Sequence, residues 1–229
     1  WKRSIKQASA WFENETKRAF VPFRQTRVFD ALGEHISARC LDVDADLLDI
    51  IMLTNGDGTT IANSAYVLRP SSGTPKYRIE LKSSSGLVWT YSDGYEEAIS
   101  VDGWWGYHEN YAQAWQTVDA LASALDASGT LAVISDPDGL DEFGFGPRVG
   151  TLDYIRIDSE LLLVTAITGS TLTVRRGVNG TTAGTHAQSS DVDAYRQAGD
   201  IQRAVGFLAG YYYDVKDTSG NGIQILDFA

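Results

Sequence analysis

The residues best suited to chemistry in this chain come as fragments of motifs. His108-Glu109 fills the first two positions of the zinc-hydrolase pattern H-E-x-x-H, in which two histidines one helical turn apart hold the metal and the glutamate acts as base. The fifth position is Ala112, so the second ligand is missing. His35 and His186 are the other histidines and lie far away in sequence, which disfavours a His-rich metal site. Asp42, Asp44 and Asp46 have the opening spacing of an EF-hand loop. Leu47, however, stands where the sharp turn needs Gly, and Leu53 where a bidentate Glu is required. A strand with the acids turned to solvent and Val43 and Ala45 turned inward accounts for them more simply.

Glycine-rich stretches give no nucleotide loop. Gly144-Phe145-Gly146-Pro147-Arg148-Val149 lacks a third Gly, carries a Pro and leads into a strand rather than a helix. Gly139 and Gly144 have Walker-like spacing, but Phe145 occupies the lysine position. There is no G-x-S-x-G elbow for a serine hydrolase. Cys40 is the sole cysteine, so neither an intrachain disulfide nor a Cys-rich metal site can form. Six tryptophans, among them Trp104-Trp105 and Trp115, together with abundant carboxylates, invite a glycosidase or carbohydrate-binding reading. A glycosidase needs two carboxylates a set distance apart in a cleft, and Trp is mostly core or interface. The triplets Asn14-Glu15-Thr16 and Asn179-Gly180-Thr181 carry weight as glycosylation acceptors only behind a secretory signal. No residue is assigned to catalysis, to a cofactor or to a metal.

Composition bounds the function further. The 229 residues include 19 Lys plus Arg against 30 Asp plus Glu, a formal net charge of −11. That balance argues against gripping nucleic acid, which needs basic patches, and against anionic membrane surfaces. Hydrophobic residues at 43% exceed what a disordered chain carries. No apolar run approaches the roughly 20 residues of a spanning helix, so a soluble protein is expected. The chain opens at Trp1 without a Met and shows no signal-peptide pattern.

The elements that would position these residues differ between ends and middle. Ile5, Ala8, Phe12 and Ala19 recur at helical spacing with Trp11 beside them, and Pro22 sets a stop, which predicts an amphipathic helix over 4–19. Ile201, Ala204, Val205, Leu208 and Tyr212 form a stripe behind Asp200 at the N-cap position, predicting a second helix over 200–216. Gly206 and Gly210 weaken it, or let another helix approach. Between them the punctuation is that of strands. Asn55-Gly56-Asp57-Gly58 is a turn signal between Ile50–Leu53 and Tyr66–Leu68. Arg78–Lys82, Leu87–Tyr91 and Ile99–Val101 follow as strands. A second block has Tyr154–Ile157, Leu161–Ile167 and Thr171–Arg175, with Val192 to Tyr195 closing the meander. Ala114, Val118, Leu121 and Leu125 keep a 3/4 spacing that predicts a helix over 111–125, and 135–150 reads as loop or linker.

Two sets of residues resemble a known family. Ala8-Ser9-Ala10-Trp11-Phe12-Glu13-Asn14-Glu15-Thr16-Lys17-Arg18-Ala19-Phe20, then Pro22 and Thr26-Arg27-Val28-Phe29-Asp30-Ala31, resemble the opening of tailed-phage head–tail connector (adaptor) proteins. Leu47–Gly58 and Ile99–Tyr107 look like the β region of that group, and Asp200–Tyr213 like its closing helix. The stretch from Ile155 through Glu160, Leu172–Ala183 and His186 is similar to a β module that recurs in phage structural proteins.

The resemblance implies an α+β fold in which N- and C-terminal helices (1–30 with 196–216) pack as a helical body. Into it are inserted a first antiparallel β module (31–110), a helix and linker (111–150) and a second β module (151–195), with a tail at 217–229. It implies a non-enzymatic virion protein of the neck, made in the host cytoplasm. Its copies form a ring, a dodecamer in the family, under the portal protein, extending the DNA channel and docking the next neck or tail-completion protein. Subunit contacts are expected from the helix stripes: Ile5, Phe12, Ile201, Val205, Leu208 and Tyr212. Ile223, Ile225, Leu226 and Phe228 follow a Gly-rich hinge and either dock on their own domain or are captured by the portal through strand addition. Trp104 and Trp105 would point to opposite faces of one strand, one into the core and one free for an interface. In Arg176-Gly177-Val178-Asn179-Gly180-Thr181-Thr182, the glycines supply positive φ and the threonines cap backbone groups, or the segment is a binding loop. DNA would pass the ring without specific binding, repelled by the acidic excess, and no membrane or cofactor is involved. The alternatives are another phage tail or baseplate β protein with glycan or receptor affinity, and a glycoside hydrolase.

Overall fold

The computed structural model describes residues 2–140, 144 and 146–218. Two helices and eleven strands run in the order α1 (Lys2–Thr16), β1 (Phe23–Phe29), β2 (Cys40–Thr54), β3 (Tyr66–Arg69), β4 (Lys76–Leu81), β5 (Ile99–Trp105), β6 (Trp115–Ala120), β7 (Leu131–Val133), β8 (Tyr154–Ile157), β9 (Glu160–Thr168), β10 (Thr171–Arg175), β11 (Asp191–Tyr195) and α2 (Gly199–Thr218). The expected α+β class with a helical body is overturned. The protein is mostly β, built of a five-stranded and a six-stranded antiparallel sheet, and its only described α-helices are the two at the ends. The chain divides into two compact units, residues 1–20 with 197–229, and residues 21–196.

In the smaller unit α1 and α2 contact each other. Their most buried members are small, Ser4 and Ala8 on α1 and Ala209 on α2. α1 ends where Lys17 turns to a left-handed φ of 57°, a stop that non-glycine residues adopt mainly at helix ends and turns. The chain then folds back so that the Phe20 ring lies 5.2 Å from that of Phe12.

The first sheet has the order β1-β5-β2-β4-β3. Strand β2 carries the runs that fill its core, and it is irregular for a reason visible in the register. Leu47 faces Trp105 and Asp49 faces Trp104, then Ile50 faces Gly103 and Met52 faces Asp102, so Leu48 and Ile51 are extra residues. Such bulges bend a strand and re-aim side chains, which lets both Leu47 and Leu48 be buried. Leu41, Leu47, Leu53, Ile79, Ile99, Val101 and Trp105 form the centre of the core. The turn after β2 forms, with the Gly58 N–H donating to the Asn55 carbonyl at 2.9 Å. It does not join neighbouring strands, because β2 pairs with β4 and β5 while β3 pairs with β4. Asn55 is instead buried, and its amide accepts from Thr90 N and donates to Val88 O.

The second sheet has the order β6-β11-β8-β9-β10-β7. Its three central hairpin strands follow the segments read from the sequence. Ile155, Ile157, Leu162, Val164, Leu172, Val174 and Val192 alternate inward into a core of their own. The helix expected over 111–125 is absent: a 3₁₀ turn at Tyr111–Gln113 leads into β6. Asp119 faces Val192 and Thr117 faces Asp193, leaving Val118 as an extra, bulged residue. One added residue breaks the period of two and mimics a helical 3/4 spacing.

Candidate assembly surface

The strongest concentration of charge inside the protein lies at one end of the second sheet. Glu160 opens β9 and is 1% exposed. Its Oε1 accepts from Arg176 Nε (2.7 Å) and Gly177 N (2.8 Å). Its Oε2 accepts from Arg176 Nη2 (2.7 Å) and Gly184 N (2.9 Å) and lies 2.9 Å from His186 Nε2. The other His186 nitrogen is 2.7 Å from Asp158 Oδ2. The remaining Arg176 N–H groups reach the carbonyls of Asp126, Gly129 and Gly184, so all five guanidinium donors are used. Burial alone would raise the Glu160 carboxyl, but Arg176, His186 and the two backbone N–H groups outweigh it and hold it at about 2. A carboxylate enclosed by that many donors has no lone pair left for a substrate. The cluster ties together the segments around 126–129, 158–160, 176–177 and 184–186.

The same segment anchors the first sheet. Gly177 and Gly180 have φ of 56° and 80°, and Thr181 Oγ1 accepts from Leu161 N while donating to Val178 O. A Cβ on Gly180 would collide with the Arg24 carbonyl oxygen. Arg24 N in turn donates to Asn179 O at 2.8 Å, and Asn179 Nδ2 donates to Pro22 O at 3.1 Å. These contacts support the turn-and-cap reading of Arg176–Thr182. The roles of Glu160, Arg176 and His186 were not legible in advance. The available signal was one Glu and one Arg set against the apolar ends of β9 and β10.

The other chemical candidates are also engaged in structure. His108 is buried, with Nε2 3.0 Å from Arg196 O and Nδ1 accepting from Asn110 N. Asp42, Asp44 and Asp46 lie on β2. Among the described residues no group of three or more His, Cys, Asp or Glu is placed to hold a metal. Trp105 is fully buried, donates from Nε1 to Gln25 O at 2.8 Å and lies under the Arg27 guanidinium, while Trp104 is half-buried. Asp102 and Asp193 are paired with Arg24 and Arg156. Burial raises the Asp153 carboxyl, against the opposing pull of the Gly150 N–H and of Arg196. A cavity of about 310 Å³ is lined by Leu48, Asp49, Thr74, Lys76, Asn110 and Tyr111. Its Lys76 Nζ already donates to Pro70 O, and Thr74 joins His108 O to Tyr111 N.

Large exposed apolar side chains lie on both units: Leu32, Leu131, Leu140 and Leu152 are among those of the β unit, and the terminal helices carry another set. Phe12, Ile201, Val205, Leu208 and Tyr212 are half-buried, and Ile5 is exposed at 37%. The large residues facing water are others: Trp11 at 47%, Phe207 at 75% and Tyr211 at 52%. Ile223, Ile225, Leu226 and Phe228 lie outside the described residues. Charge is divided sharply between the units. Only six of the 30 acids, Glu13, Glu15, Asp200, Asp214, Asp217 and Asp227, fall in residues 1–20 and 197–229, against seven of the 19 basic residues. The helical unit is therefore close to neutral, and the β unit carries the acidic excess. Comparison with known proteins returns no match to a family model, a curated protein or a solved structure.

Proposed function

We propose that this chain is a non-enzymatic structural subunit of a tailed-phage virion, a head–tail connector located in the neck. In this reading its copies assemble as a ring under the portal, extend the DNA channel and dock the next neck or tail component. The observation that carries the reading is the helical unit: close to neutral in net charge, built of two helices, and exposing Trp11, Phe207 and Tyr211 to water. A unit that small buries too little apolar surface to stand alone, and exposed aromatics are the residues interfaces use. The ion clusters of the β unit support a structural role, since their donors and acceptors satisfy one another. An acidic β unit beside the channel repels phosphate and lets duplex slide. No described helix is long and apolar enough to cross a membrane.

Co-sedimentation tests the proposal. The full chain should pellet with DNA-filled heads that carry a portal and stay in the supernatant with heads that lack one. Equal behaviour with both kinds of head overturns it. Turnover of a polysaccharide, abolished by a single Asp or Glu substitution, would remove the non-enzymatic part.

A further inference from the structure

The outward face of α2 has a self-complementary order. Arg203, Phe207, Gly210 and Asp214 are spaced four, three and four residues apart, so they form one stripe along the helix. Phe207 is the most exposed large apolar residue described, Arg203 and Asp214 are exposed, and no atom lies within 4 Å of where a Cβ on Gly210 would stand. The stripe of Ile201, Val205, Leu208 and Tyr212 occupies the opposite, half-buried side. We infer that two copies of the unassembled protein pair through α2 as antiparallel helices.

Antiparallel packing about the point midway between residues 208 and 209 sets Phe207 of each copy against Gly210 of the other. It also sets Arg203 of each against Asp214 of the other. A large knob meets an empty hole twice, and opposite charges meet at both ends of the seam, as alternating coiled-coil layers require. A parallel pair would stack Phe207 on Phe207, leave a void between the two Gly210 positions, and oppose like charges. The seam comprises these four layers. Asp200 is already engaged in its own helix, accepting from Ile201 N at 2.7 Å. The division of charge favours this same surface, because the acidic β units of two copies repel one another while the helical units do not. A depression of about 560 Å³ lined by Gly199, Asp200, Arg203, Ala204 and Phe207 lies along the seam. So short a seam makes the pairing weak and dependent on protein concentration. The pairing covers Phe207 in the unassembled protein.

Sedimentation velocity of the full chain across the micromolar range tests this. The weight-average mass should rise from one subunit to two with concentration. Phe207→Ala and Gly210→Leu should each weaken pairing by at least about tenfold. Gly210→Leu also keeps or raises helix content by circular dichroism, which separates lost pairing from lost folding. Arg203→Asp should weaken pairing, and the double variant Arg203→Asp with Asp214→Arg should restore it, since the two charges only exchange places. A monomer at all concentrations, a larger oligomer, or a dimer indifferent to these substitutions overturns the inference. The connector reading is separable. A monomer that still binds portal-bearing heads defeats the pairing alone, and a paired protein that never binds heads defeats the connector alone.

Discussion

The second sheet and the helix α2 handle polar and aromatic groups in opposite ways. At the start of β9 the Glu160 carboxylate and the Arg176 guanidinium are buried with their hydrogen-bonding capacity satisfied from within the chain. On α2, Phe207 and Tyr211 stand in water beside glycines with open space around them. A buried ion pair is tolerable only when satisfied, so the first region is complete as it stands. The second carries an apolar surface that a lone subunit leaves unburied. The difference sets a self-satisfied polar cluster in the β unit against exposed aromatics on the helical unit.

The sharpest way to break the polar half of this contrast is Arg176→Met. It leaves Glu160 buried without its partner and should cost about 3–5 kcal/mol in denaturant unfolding. A cost under about 1 kcal/mol would show the cluster to be solvated and the contrast false. Acid titration of stability comes next. The Glu160 carboxyl is held at about 2, below its unfolded value, so its contribution is complete above about pH 4.5 and is lost as pH falls toward 2. The stability gap between the wild type and Glu160→Gln should therefore close by on the order of 3 kcal/mol over that window; a gap independent of pH would refute the assignment. Gly180→Ala forces a left-handed residue against the Arg24 carbonyl and should cost about 1–3 kcal/mol. At the small end, Arg78→Ala removes an exposed pair with Asp42 and should change stability by less than about 1 kcal/mol. A larger loss there would mean that surface pairs, not the buried cluster, hold the β unit.

Legibility followed the range of the forces involved. Helix α1 and the strands β8, β9 and β10 were readable because side-chain period and turn residues act locally, as at Asp158 and Gly169. The spacing over 111–125 predicts a helix that does not form, because the bulge at Val118 shifts the apolar positions out of step, and a bulge is defined only against the partner strand β11. The Asn55 turn was recognised as a turn, but its strand neighbours were not, since β5 inserts beside β2 from far along the chain. The resemblance implies an α+β class, but many short strands, each with a weak local signature, outnumber the two helices and make the fold mostly β. The spacing places Phe12 on one helix stripe and Ile201 and Val205 on another. That these stripes are half-buried while Phe207 is exposed depends on how the two helices meet.

By itself the sequence determined where the two terminal helices, several turns and most strands lie, the absence of an intrachain disulfide, and the acidic balance. These are properties of neighbouring residues or of simple counts. Only the tertiary structure decided that Glu160, Arg176 and His186 meet, that the acidic excess belongs to one unit, and that Phe207, Gly210, Arg203 and Asp214 share an outward face. Each depends on which distant segments pair and which side of a helix is covered, and long-range packing sets that where local preference cannot.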